Sequence, residues 1–145
     1  MPDEIVIDTT VLQKANALLT TTPRSRSDFA KRIRLIEDVL EGRKVVLYSW
    51  KLMVEYEKQL PSPRNDYIRL LFELLADPKR RVENWVKWPG RDREKARKCR
   101  YPKEDDHVLR TAIRPTPSTI VTEEGRMLAA DACIYRNFKV HIWNI

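Results

Sequence analysis

The sequence predicts an α/β domain in which a mostly parallel sheet is covered by helices on both faces, a three-layer α/β/α arrangement. Three observations predict it. Short β-branched runs alternate along the chain with stretches of helical apolar spacing. No Asn-Gly type of hairpin signal joins any two of those runs, so successive strands are expected to be parallel. The 145 residues suit one compact domain, 1–145, with no repeat, low-complexity tract or linker to divide it.

The elements follow in order. "EIVID" is a β-branched run ending in Asp8 and reads as a buried strand. "TTVLQKANALL" has helical spacing at Val11, Leu12, Ala15, Leu18 and Leu19, and "TTTPRSRSD" reads as a polar, Pro-containing loop. "FAKRIRLIEDVLEG" places Phe29, Ile33, Ile36 and Leu40 on one helical face, with Gly42 as the C-terminal cap. "KVVLYS" is the second strand. Ser49 can cap the helix "WKLMVEYEKQL", which "PSPR" ends. "DYIRLLFELLA" is a further helix and "VENWV" a short strand. A basic loop then runs to the helix of "EDDHVLRTAI"; "STIVT" is a strand, "GRMLAADACIYRN" a helix and "KVHIW" the last strand.

Composition narrows the function classes. Hydrophobic residues make up 42% and charged residues 34%, and no apolar run approaches the ~20 residues needed to span a bilayer. The opening "MPDEIVID" is acidic and short of apolar residues, so no signal peptide is expected. Cys99 and Cys133 are far apart and outside any CxxC pattern. They read as free thiols of a cytoplasmic protein rather than a disulfide or zinc framework. The formal charge is +7, and Lys79 to Lys103 alone holds eleven basic residues against three acids, a local +8. Such a footprint suits a polyanion, most often nucleic acid.

In an open parallel sheet, sites form beyond the carboxyl ends of the strands. Acids fall at those places: Asp8 after the first strand, Glu55 six residues beyond Ser49, Asp105 and Asp106 at a helix start, and Glu123 and Glu124 after Thr122. Taken singly, each has an ordinary explanation as a helix cap, a dipole partner or a solvated acid. Together they would repel one another, and a divalent cation removes that cost. Mg²⁺ or Mn²⁺ favours oxygen donors and leaves room for phosphate oxygens. No Ser/His/Asp or Cys/His arrangement competes with this reading, and His107 and His141 have no evident chemical partner in the sequence.

These residues resemble the PIN-domain ribonucleases, which include the VapC-like toxins of toxin–antitoxin systems. "IVIDTTVLQKA" resembles the family's first-strand motif, with Asp8 as first metal-binding acid and Thr10 at the supporting Ser/Thr/Asn position. "SWKLMVEYEKQL" resembles the helix supplying the second acid, Glu55. In "EDDHVLRTAI" the third acid precedes a helical Ala by seven residues, which singles out Asp105, with Asp106 as a supporting neighbour. "TIVTEEGRML" resembles the strand followed by Thr-x-Asp, with Thr122 in place and Glu124 where Asp is expected.

The resemblance implies a metal-dependent endoribonuclease cutting single-stranded RNA, with Mg²⁺ or Mn²⁺ held by Asp8, Glu55, Asp105 and Glu124. It also implies RNA as partner, with an antitoxin protein and a second copy of the chain as further candidates. The Glu at position 124 keeps a second expectation open: a catalytically weak or inactive module that binds RNA or a protein. Arg91, Arg93, Lys95, Arg97, Lys98, Arg100 and Lys103 are the candidate RNA-binding residues. Trp85, Trp88 and Tyr101 are interleaved with this cationic stretch and suit base stacking, unless the two tryptophans serve the core.

Overall fold

A computed structural model describes residues 3–18 and 23–145. Its five strands, β1 (Asp3–Ile7), β2 (Lys44–Tyr48), β3 (Val82–Glu83), β4 (Ser118–Thr122) and β5 (Val140–Asn144), form one sheet in the order β3-β2-β1-β4-β5. Every pairing is parallel. Among the described residues, eight helices complete a three-layer α/β/α domain: α1 (Thr9–Ala15), α2 (Pro23–Leu40), α3 (Trp50–Gln59), α4 (Asp66–Leu75), α5 (Gly90–Lys98), α6 (Asp106–Ala112), α7 (Gly125–Ala129) and α8 (Asp131–Phe138). Ile5, Val6 and Ile7 are all buried although successive strand residues face opposite ways, so β1 is covered on both faces.

The strand order reverses between β1 and β4, and their carboxyl ends lie side by side, with Asp8 N–H donating to the Val121 carbonyl at 2.9 Å. That switch point is where an open α/β sheet leaves a crevice. Two ties bring α3 and α6 to it. The Tyr56 hydroxyl donates to the Ile7 carbonyl at the end of β1. Thr111 Oγ1 spends its single proton on the His107 carbonyl (2.8 Å), so Ser49 must donate to Thr111 across 2.7 Å while accepting from Leu52 N–H.

Several expectations need correction. The first helix ends at Ala15, leaving Leu18 exposed, and Leu19 lies outside the described residues. Of the expected loop 20–28, residues 20–22 are outside the described residues, and the rest is the start of α2, with Pro23 at the first helical position that proline favours. The strand expected over 82–86 keeps only Val82 and Glu83. The basic stretch is the helix α5, and "GRMLAADACIYRN" divides at Ala130. Gly42 does cap α2: at φ +80° it lets Arg43 N–H reach the Asp38 carbonyl and its own N–H reach Val39.

The cysteines are the plainest correction. Cys99, at the end of α5, and Cys133, on α8, have Cα atoms 5.5 Å apart and form a disulfide. Their 34-residue separation hid the pairing, and the free-thiol argument for a cytoplasmic protein falls with it. Among the described residues, no helix is long and apolar enough to cross a membrane.

Candidate functional site

Asp8 follows the last residue of β1 and is 4% exposed. The sequence supplies its cradle from both neighbouring segments. Thr10 Oγ1 donates to Asp8 Oδ2 at 2.8 Å from the first turn of α1, and Thr122 Oγ1 donates to the same oxygen at 2.7 Å from the end of β4. These are the two threonines expected to support the site. Burial pushes the Asp8 carboxyl up, the two hydroxyls oppose that, and the Glu55 charge adds to it.

Glu55 projects from the second turn of α3. Its Oε2 accepts from Thr9 Oγ1 at 2.8 Å and meets His107 Nε2 at 2.7 Å. Burial raises the Glu55 pKa, but His107 and Thr9 outweigh it and the net shift is downward. Burial likewise lowers His107, but the Glu55 hydrogen bond and charge carry it above its ordinary value. His107 is the functional-site residue that sequence reasoning missed. It stands 52 positions from Glu55, and no local spacing connects them.

Asp105 ends the 3₁₀ turn Lys103–Asp105 that leads into α6, and its backbone is held by the Tyr101 hydroxyl, which donates to its carbonyl at 2.7 Å. Its carboxyl is pushed up to about 7 by burial first, then by the charges of Asp8, Glu104 and Glu55, with only His107 opposing.

Arginine partners sort the remaining acids. Asp106 pairs with Arg97, and Glu104 with Arg126. Glu123 takes a two-pronged bond from Arg32, both arms 2.8 Å. Glu124 caps α7 through Arg126 N–H (3.2 Å) and meets the same arginine's Nε at 3.4 Å. The expected fourth acid is thus turned toward Arg126, and Asp106 is neutralised by Arg97. Asp8, Glu55 and Asp105 are the acids at this edge without a Lys or Arg partner among the described residues. Asp106 is paired with Arg97, whereas Asp105 has no Lys or Arg partner among the described residues and feels the charges of Asp8 and Glu55.

The three acids offer hard oxygen donors, as Mg²⁺ and Mn²⁺ require. Among the described residues, no group of three or more His, Cys, Asp or Glu side chains is placed to hold a metal ion. Mg²⁺ usually takes one or two carboxylates directly and keeps several waters, so two of these acids could ligate it while the third holds a bound water.

The charge arrangement has a pH signature. The proton on Asp105 is bound more tightly in the folded state than in the unfolded chain, so its contribution to stability declines as pH rises from about 4 to about 7. His107 contributes below its unfolded value and loses that contribution as pH rises through its raised folded value. Glu55 acts oppositely, losing its contribution as pH falls through its lowered value. Metal-free protein is therefore expected to lose stability on going from about pH 6 to pH 8. A divalent cation must displace the Asp105 proton, so Mn²⁺ is expected to raise Tm more at pH 8 than at pH 5.5. Thermal melts at both pH values, with and without Mn²⁺, check this. An equal Mn²⁺ effect at both would remove Asp105 from the site.

The candidate RNA-binding residues are carried by α5 and the turn after it. Ala96 is the face of α5 turned to the core, and Arg91, Arg93, Lys95, Lys98, Arg100 and Lys103 are exposed. Arg97 is committed to Asp106. Trp88 and Tyr101 are buried and belong to the core, so they do not stack on an incoming base. Trp85 remains 39% exposed, under the guanidinium of Arg110 at 4.0 Å from its ring centre.

No protein-family model, curated protein or solved structure matches the chain.

Proposed function

We propose that the chain is a divalent-metal-dependent ribonuclease, with Asp8, Glu55 and Asp105 as the acids that hold Mg²⁺ or Mn²⁺ and single-stranded RNA as the substrate. The observation that carries this reading is the sorting of the acids. Four neighbouring carboxylates each have an arginine, whereas these three crowd the switch point with one histidine between them. A fold gains nothing in stability from a carboxyl pushed up to about 7, but a cation site needs that concentration of negative charge.

When bound, the ion supplies Lewis-acid stabilisation of a phosphodiester and lowers the pKa of water. The chain's own residues do the rest. Thr10 and Thr122 fix Asp8 through Oδ2, leaving Oδ1 without a side-chain hydrogen bond among the described residues. Thr9 and His107 hold Glu55, and Tyr101 fixes the turn carrying Asp105. The exposed cations of α5 draw an anionic strand toward the edge where these acids sit.

The pairing of Glu124 with Arg126 favours one other reading, an RNA-binding module that does not cut. Calorimetric titration with Mn²⁺ and a cleavage assay on labelled single-stranded RNA separate the two. The nuclease is expected to bind Mn²⁺ and to lose all cleavage in EDTA. No heat of binding at millimolar Mn²⁺, with RNA still bound, would leave the module. Cleavage that persists in EDTA would overturn the metal assignment.

A further inference from the structure

Two tryptophans stand exposed beside the acid site, and they line one cavity. Trp50 is 69% exposed and opens α3, the helix that carries Glu55. Trp85 follows β3. With Tyr48, Ser49, Glu83 and Asn84 they enclose about 260 Å³, just below the roughly 300–1,000 Å³ of pockets for drug-sized ligands and suited to one planar ring system.

The cavity is built on pinned backbone. Ser49 caps the turn bearing Trp50. The segment bearing Trp85 is tied to α6 and its end on both sides. Asn84 Nδ2 donates to the Thr111 and Ile113 carbonyls at 2.8 and 2.7 Å, Arg110 Nε donates to the Val86 carbonyl at 3.0 Å, and Val86 N–H returns to the Arg110 carbonyl at 3.4 Å. Binding to such a site costs little ordering.

Two cations stack on aromatic rings beside the cavity, and one of them, Arg81, is paired with the lining residue Glu83 at 2.7 Å, which leaves Arg110 as the cation for an anionic partner. Arg110 lies over Trp85, and Arg81 lies over Tyr48 at 3.8 Å. Burial and the nearby charge of Arg93, an exposed residue of α5, both depress the Arg110 pKa. Five residues of helix separate Trp50 from Glu55, about 7.5 Å at 1.5 Å per residue. Three separate His107 from Arg110 on α6. At about 3.4 Å per stacked nucleotide, the first offset corresponds to roughly two nucleotides and the second, about 4.5 Å, to roughly one.

We infer that Trp50 and Trp85 form a nucleobase subsite, which seats one unpaired base of a single-stranded RNA while Arg110, held over Trp85, takes its backbone phosphate. The inference rests on the ribonuclease reading for its substrate, but it makes a binding claim that needs no metal. The test uses the full chain in EDTA, a labelled single-stranded RNA and a strand of equal length with abasic positions.

Intact RNA is expected to quench tryptophan emission and to bind more tightly than the abasic strand. Trp50→Ala and Trp85→Ala are each expected to weaken binding of intact RNA roughly 5- to 150-fold, with binding of the abasic strand unchanged. Trp50→Phe and Trp85→Phe are expected to restore most of the affinity, which excludes misfolding as the cause. Trp143→Ala, 55% exposed but outside this cavity, should have no effect. Equal affinity for intact and abasic strands, or alanine variants that bind like the wild type, would overturn the subsite. If base-dependent binding holds while no metal-dependent cleavage occurs, the nuclease reading alone fails.

Discussion

Asp8→Asn is expected to lower RNA cleavage by about two orders of magnitude or more without lowering Tm. Partners that only orient a metal ligand are worth roughly 10- to 100-fold, and loss of a ligand's charge costs at least as much. Stability should move the other way. Asn keeps the shape of Asp, and its carbonyl oxygen can accept from both Thr10 and Thr122 as Asp8 Oδ2 does now. The change also removes a buried charge that raises the Asp105 carboxyl and is itself disfavoured by burial. Tm is therefore expected to be unchanged or higher, and the Mn²⁺-induced rise in Tm to shrink. Initial cleavage rates with paired melts check both halves. Wild-type cleavage by this variant would remove Asp8 from the chemistry. A lost activity accompanied by a large fall in Tm would mean that its charge serves the fold.

The largest expected stability effect comes from the disulfide. Removing it as Cys99→Ala with Cys133→Ala releases a 34-residue loop in the unfolded chain, which by chain entropy costs about 3–4 kcal/mol. For a domain of this size, that is a fall of about 10 °C in Tm. The loop encloses Asp105, His107 and Thr122, so the double variant should also weaken Mn²⁺ binding, because α5 and the Asp105 turn lose their anchor to α8. Melts of the wild type and the double variant without reductant, with thiol alkylation and mass measurement to confirm the bond, test it. Equal melting temperatures would show that the bond contributes nothing.

The reach of the sequence follows from the range of the interactions. Strands β1, β2, β4 and β5 are legible because their β-branched runs are local signals, and Ser49 marks α3 because capping spans three residues. Polar composition misled at "TTTPRSRSD" and along α5. Pro23 opens a helix there, and the Arg, Lys and Glu of α5 are good helix formers that needed only Ala96 against the core. Strand β3 is shorter than its pattern because Asn84 diverts the chain to the end of α6. The places of Asp8 at a strand end, of Asp105 at a helix start and of Glu55 six residues beyond Ser49 were readable, and their joint role is what the proposed function adds. The arginine that neutralises Glu123 was not readable, since Arg32 lies 91 residues from it. The same holds for His107 and for the cysteine pair, whose partners are set by packing alone.

The Asp8 cradle also sets a time for the site to appear. Thr122 closes it from 114 residues downstream, and β1 finds its β4 neighbour at the same separation. At about 5–20 residues per second of synthesis, the ribosome needs roughly 6–23 s after making Asp8 to supply Thr122. During that interval the nascent chain can build β1, α1, β2 and α3 yet holds an unfinished acid site. A chain stalled or cut between residues 106 and 121 would therefore carry Asp8, Glu55 and Asp105 without the hydroxyl that fixes the first of them.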